Sequence, residues 1–281
     1  MSQQLTVADF KSDLKPIWCA GCGDYGAINP FYQALVACEL EPKSTVIVSG
    51  IGCSGRFPYF CDTYGFHGVH GRALPTAAGM KSANPKLNIF AVGGDGDGLG
   101  IGGGHLPHVA RKNVDIVYIL LDNSIYGLTK GQSSPTSPLD MTSKTAPYAY
   151  LEDPLNPVAM FLGYDVSFIA RGFSGKPKML KELFIQAIKH PGFAIVHIFS
   201  PCVTMNKHIT FNSMKEIVKE LPEDYDPSNR LKAMEYALDT SKFWTGVFYR
   251  RERPTLQDRL DHLSERAGRY KDLSQLMSHF K

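Results

Sequence analysis

At 281 residues, 43% hydrophobic and 20% charged, the chain can bury one large core or two modest ones and is too apolar to be a disordered segment. Its net charge is only +3 and its basic residues are dispersed apart from YRRERP at 249–254, which argues against a nucleic-acid surface. No apolar run approaches the roughly 20 residues of a membrane helix, and the start MSQQLTVADFKSDLK lacks the regions of a signal peptide, so a cytoplasmic protein with neither membrane nor nucleic-acid partners is expected.

In chain order, WCAGCGDYG (18–26) sets Cys19 and Cys22 in a C-x-x-C among glycines. Alone, that pair suits a zinc half-site, a redox dithiol or a cluster half-site. FYQALVACEL (31–40) reads as a helix that buries Cys38 as a small hydrophobe. TVIVSG (45–50), LNIFAVGG (87–94), DIVYILLD (115–122), YDVSFIAR (164–171) and FAIVHIF (193–199) read as strands buried on both faces. ALPTAAGMKSA (73–83), GGHLPHVARKN (103–113), NPVAMFLG (156–163) and PKMLKELFIQAIKH (177–190) read as the helices between them. The alternation predicts an α/β fold in which right-handed crossovers build a parallel sheet flanked by helices. Ligands of such sheets gather beyond the carboxyl ends of the strands.

Two segments break the rhythm. GQSSPTSPLDMTSKTAPY (131–148) is a long Ser/Thr/Pro loop, and loops of that length in compact domains are usually functional. Beyond 205 the pattern gives way to charged sequence, so the expected organisation is a ligand-binding domain over 1–205 and a helical extension or arm over 206–281 that contacts a partner.

VGGDGDGLGIGGGHLPH (92–108) holds eight of the 26 glycines. A linker does not fit, because a strand precedes it and a helix follows. A dinucleotide loop would set Asp95 and Asp97 against a pyrophosphate, a repulsion that a divalent cation between them removes. Mg²⁺ takes oxygen ligands and bridges protein carboxylates to phosphates. Asp95 supplies one ligand, glycines allow close backbone approach, and the following helix N-terminus faces the diphosphate. The next strand places Asn123 at its end as a second ligand.

Gly-Asp-Gly followed by Asn after a helix and a strand resembles the thiamine diphosphate family. That resemblance implies Mg²⁺ held by Asp95, Asn123 and the backbone carbonyl of Ile125.

The remaining cysteines sit at the same edge of the sheet. Cys53 (GIGCSGRFP) follows the first strand and Cys202 (IFSPCVTMN) the last. A cytosolic chain keeps such thiols reduced, and four of them converging suit zinc or a [4Fe–4S] cluster.

WCAGCG, GIGCS, HGRA, GGDGDGLGIGG, DNSIYGLTKGQSSPT and SPC, in that order over 18–206, resemble the β subunit of 2-oxoacid:ferredoxin oxidoreductases. The resemblance implies a [4Fe–4S] cluster on Cys19, Cys22, Cys53 and Cys202, with Cys61 a weaker substitute. It sets Ile51, Gly52, Cys53 and Ser54 beside thiamine and His70 facing it as the catalytic candidate. Gly94, Gly96, Asp97, Gly127 and Leu128 fall at the diphosphate side.

The implied reaction is CoA-dependent oxidative decarboxylation of a 2-oxoacid, best 2-oxoglutarate to succinyl-CoA and CO₂, or its reversal as reductive carboxylation. Electrons leave singly through the cluster to ferredoxin. Arg56 and Lys130 flank the site, and one of them is expected to bind a substrate carboxylate. Thiamine sites also need a pyrimidine-binding half with an activating glutamate, so an α subunit is expected to complete a heterodimer or a dimer of heterodimers. The alternatives are a pyruvate or branched-chain substrate, a non-oxidative thiamine decarboxylase or synthase, and a non-catalytic zinc-stabilised binding domain.

Overall fold

The computed structural model of the protein describes residues 5–267 and 273–280. Eight strands form one sheet: β1 (Thr45–Ser49), β2 (Tyr64–His67), β3 (Asn88–Gly94), β4 (Ile116–Asp122), β5 (Phe168–Phe173), β6 (Phe193–Phe199), β7 (Val218–Glu220) and β8 (Phe243–Arg250). Their spatial order is β2-β1-β3-β4-β6-β5-β8-β7, and every pairing is parallel except that of β5 with β8. The central strands β1, β4, β5 and β6 are buried at every residue, which their unbroken apolar runs require.

Helices cover both faces. On one, α1 (Asp24–Ala37) and α5 (Pro177–Lys189) pack around Phe31, Phe57, Phe90 and Phe184. On the other lie α2 (Ala73–Ala83), α3 (Leu106–Lys112), α4 (Pro157–Gly163) and, beyond α6 (Phe211–Ile217), α7 (Arg230–Leu238). The last helices are α8 (Leu256–Ala267) and α9 (Leu273–Ser278). Among the described residues no helix is long and apolar enough to cross a membrane.

Three local expectations need correction. The chain leaves β3 in a π-helical turn (Gly96–Ile101) and a 3₁₀ turn, and α3 begins only at Leu106, because consecutive glycines are poor helix formers. The strand expected at 164–171 starts at Phe168, since Tyr164 caps α4 and Asp165 takes a left-handed φ of +57° that ends the helical run. The segment beyond 205 is not a purely helical arm: aromatic β8 pairs with β5 and β7 pairs with β8, so the sheet continues across residue 206.

Because β1, β3, β4 and β6 are neighbours and run parallel, the loops leaving their carboxyl ends emerge side by side. These loops carry Cys53, Asp95, Asn123 and Cys202.

Candidate functional site

A pocket with a cavity volume of about 70 Å³, partly open to solvent, lies at that edge. All the residues expected around the cofactor line it: Ile51, Gly52, Cys53, Ser54, His70, Gly94, Gly96, Asp97, Gly127 and Leu128, with Asp95, Asn123 and Ile125. Asp24, Leu121, Tyr126 and Thr129 line it too and were not anticipated. The glycine-rich turn is fixed by close packing. A Cβ on Gly96 would collide with the Tyr126 ring and one on Gly98 with the Tyr118 hydroxyl, while the Tyr126 hydroxyl donates to the Gly96 carbonyl at 3.1 Å.

Asp95 is buried, and its Oδ2 accepts hydrogen bonds from Ser134 Oγ at 2.5 Å and Thr136 Oγ1 at 3.0 Å. Burial, and then the nearby Asp122 carboxylate, push the Asp95 carboxyl well above the usual range. Thr136 Oγ1 lies closer still to Asp122 Oδ1, at 2.8 Å, and its single proton can serve only one carboxylate at a time. Asp122 Oδ2 is in turn 2.9 Å from His197 Nε2, inside the sheet. The buried Asp95 carboxylate, with the Asn123 side-chain oxygen and the Ile125 backbone at the pocket wall, offers an all-oxygen donor set that suits a hard divalent cation.

Ser134 and Thr136 belong to the long Ser/Thr/Pro loop. Its composition marks it as functional, but nothing in it identifies which hydroxyls reach Asp95.

The thiols gather on the other side of Gly127. A Cβ at Gly127 would stand 3.4 Å from Cys202 Sγ, 3.8 Å from Cys53 Sγ and 3.8 Å from Asn123 Nδ2, so two thiols and the Asn123 side chain meet at one backbone position. Cys22 is pushed far up by burial, then by the charges of Asp24, Cys53 and Cys202. Burial raises Cys53 to about 11, assisted by Asp24 and Cys202 and opposed by Arg56. Cys19 is exposed.

The four thiols therefore share one electrostatic neighbourhood, yet among the described residues no three His, Cys, Asp or Glu side chains are already arranged around a single ion. Cys61 packs instead in the aromatic core, its thiol directed at the Phe57 carbonyl and raised to about 12 by burial.

Three expected residues sit differently. The Asp97 carboxylate does not reach out towards a diphosphate; it is turned inward onto the Ile51 and Gly71 backbone amides. Arg56 and Lys130 lie outside the lining, two residues beyond Ser54 and one beyond Thr129 respectively. Arg56 is half-buried, and Lys130 is exposed at φ +77° in a turn closed by its own N–H onto the Gly127 carbonyl.

Comparison with known proteins agrees with this geometry. A family described as "Thiamine pyrophosphate enzyme, C-terminal TPP binding domain" matches residues 50–198, and a second family, the C-terminal part of the pyruvate ferredoxin oxidoreductase beta subunit, matches 202–265. The chain is 42% identical over 221 residues to the 2-oxoacid:ferredoxin oxidoreductase 2 subunit beta of Aeropyrum pernix, covering 78% of this chain and 72% of that one. It is 37% identical over 260 residues to the 2-oxoglutarate synthase subunit KorB of Methanothermobacter marburgensis, covering 91% and 90%. A solved structure, the 2-oxoglutarate:ferredoxin oxidoreductase from Magnetococcus marinus with 2-oxoglutarate, coenzyme A and succinyl-CoA bound, superposes with a TM-score of 0.96 at 44% identity, covering 99% of this chain and 97% of that one.

Proposed function

Because the chain belongs to the β subunits of the 2-oxoacid:ferredoxin oxidoreductases, thiamine-dependent enzymes that work with an α subunit, we propose that it oxidises 2-oxoglutarate. In this reading 2-oxoglutarate and CoA give succinyl-CoA and CO₂, and the two electrons released pass singly through a [4Fe–4S] cluster to two ferredoxins. With the flow reversed the same site performs reductive carboxylation. The observation that carries the reading is the junction at Gly127, where the thiols of Cys53 and Cys202 and the side chain of Asn123 meet at one backbone position, beside a pocket that Cys53, Asp95 and Asn123 line. The choice of 2-oxoglutarate is supported by the ligands named for the Magnetococcus marinus structure and by the KorB relatives.

Asp95 and Asn123 side chains and the Ile125 carbonyl would hold Mg²⁺, and Cys19, Cys22, Cys53 and Cys202 would hold the cluster. When bound, thiamine diphosphate supplies the electron sink for decarboxylation. This chain contributes placement. Ile51 to Ser54 wall one side, His70 faces across, and the fixed turn from Gly94 to Gly98 brings backbone to the diphosphate. Thiols kept reduced at that edge suit a cytoplasmic setting. We assign the distal substrate carboxylate to Arg56 or Lys130 at the rim.

The test uses the α–β complex purified without oxygen. Iron and acid-labile sulfide should be present, with a visible absorption that bleaches on dithionite, and ferredoxin or viologen reduction should require CoA and prefer 2-oxoglutarate over pyruvate and branched-chain 2-oxoacids. Zinc without iron, or turnover without an electron acceptor, would overturn the assignment. Arg56→Ala or Lys130→Ala should raise KM for 2-oxoglutarate more than for pyruvate; an unchanged ratio in both removes their role.

A further inference from the structure

We propose that Asp97 is a positioning residue whose buried carboxylate clamps the loop after β1 to the loop carrying His70, setting two walls of the pocket before any cofactor enters. The consequence for the cofactor rests on the reading of the pocket as a thiamine site; the clamp itself is a property of the fold.

Asp97 is 3% exposed, and its Oδ1 accepts from the Ile51 and Gly71 N–H groups, each at 2.8 Å. These amides lie 46 and 26 residues away in sequence, on two loops that otherwise hang from different strands. Hydrogen bonds to an ionised acceptor are roughly twice as strong as neutral ones, so one oxygen can fix both loops. The surroundings are shaped to admit it. A Cβ on Gly50 would collide with both carboxylate oxygens, and Gly71 takes φ +72°, a left-handed conformation that favours glycine. The glycines of SGIG and HGRA thus answer to the second aspartate of GDGD.

His70 stands beside this clamp. Its Nδ1 lies 3.3 Å from Asp97 Oδ1 but is not aligned as a hydrogen bond, and both Nδ1 and Asp97 Oδ2 are buried without a partner. A hydrogen bond formed between them would fix the proton on Nδ1 and leave Nε2 as the nitrogen free to meet a ligand.

The test compares the wild-type α–β complex with Asp97→Asn and Asp97→Ala. Amide exchange is followed without cofactor over residues 50–54 and 67–72, and then thiamine diphosphate–Mg²⁺ affinity by calorimetry, with kcat and KM. Asp97→Asn keeps the shape but loses the charge, so both segments should exchange about tenfold faster while the rest of the chain does not. The cofactor Kd should rise about tenfold, and kcat should fall more than KM changes. Wild-type exchange in either segment of Asp97→Asn overturns the clamp, whether or not Asp97→Ala assembles. Faster exchange with unchanged Kd and kcat overturns the positioning role, as does a uniform acceleration along the chain. Failure of the wild type to bind thiamine diphosphate would instead remove the functional reading and leave the exchange result standing.

Discussion

Ser134 and Thr136 reach back 39 and 41 residues to hold the one carboxylate on which the oxygen donor set depends. Outer partners of a metal ligand fix its orientation, and their loss typically costs 10–100-fold in affinity. The double variant Ser134→Ala, Thr136→Val should therefore raise the Mg²⁺ Kd of the thiamine-loaded complex by about that factor, read by metal titration, while Thr136→Ser should stay near wild type. An unchanged Mg²⁺ affinity in the double variant would show that Asp95 orients itself. Asp95 and Asn123 were legible in the sequence because strand ends fix where they emerge. The two hydroxyls were not, since the return path of an aperiodic loop leaves no pattern in the chain. Nor does sequence distinguish the partners of two aspartates one glycine apart: loop hydroxyls hold the Asp95 carboxylate, whereas two backbone amides hold that of Asp97.

Elements were legible in proportion to their burial. The apolar runs of β1, β3, β4 and β6 could be nothing but interior strands, whereas exposed four-residue β2 and three-residue β7 carry no such signal. β8 was hidden by its charged neighbours although FWTGVFYR has the aromatic and β-branched content of a strand. What anchors it is Arg171 of β5, 6% exposed, whose guanidinium lies over the rings of Phe243 at 4.4 Å and Phe248 at 4.8 Å. Its Nε donates to the Trp244 carbonyl at 2.6 Å. Burial lowers the Arg171 pKa to about 10, which leaves it charged at neutral pH and in need of those rings and that carbonyl. Phe248 is fully buried, so Phe248→Ala should cost about 3–5 kcal/mol. Denaturant unfolding of the purified chain measures this, with amide protection along β5 and β8 falling together. A loss below about 1 kcal/mol would mean that β8 is not integral to the sheet.

The whole molecule presents an open half of a site. Val69, Ile101 and Leu128 stand exposed around the His70 side of the pocket, and every residue of the edge strand β2 is exposed, including Tyr64 and Phe66. Exposed apolar side chains and an uncapped strand edge are features of an interaction surface, and we propose that the α subunit covers them. In the proposed reading, the glutamate that thiamine chemistry requires to activate its aminopyrimidine ring is assigned to the α subunit. The division of labour has a measurable consequence. Purified without oxygen, this chain should retain iron and sulfide, because all four candidate thiols are its own, yet reduce no viologen with 2-oxoglutarate and CoA. Adding the α subunit should restore turnover in a saturable way, and Phe66→Asp should raise the α concentration needed for half-maximal activity without lowering the iron content. Turnover by the chain by itself would mean that the activating group lies within it, and iron bound only after the α subunit is added would mean that the cluster is shared between the chains.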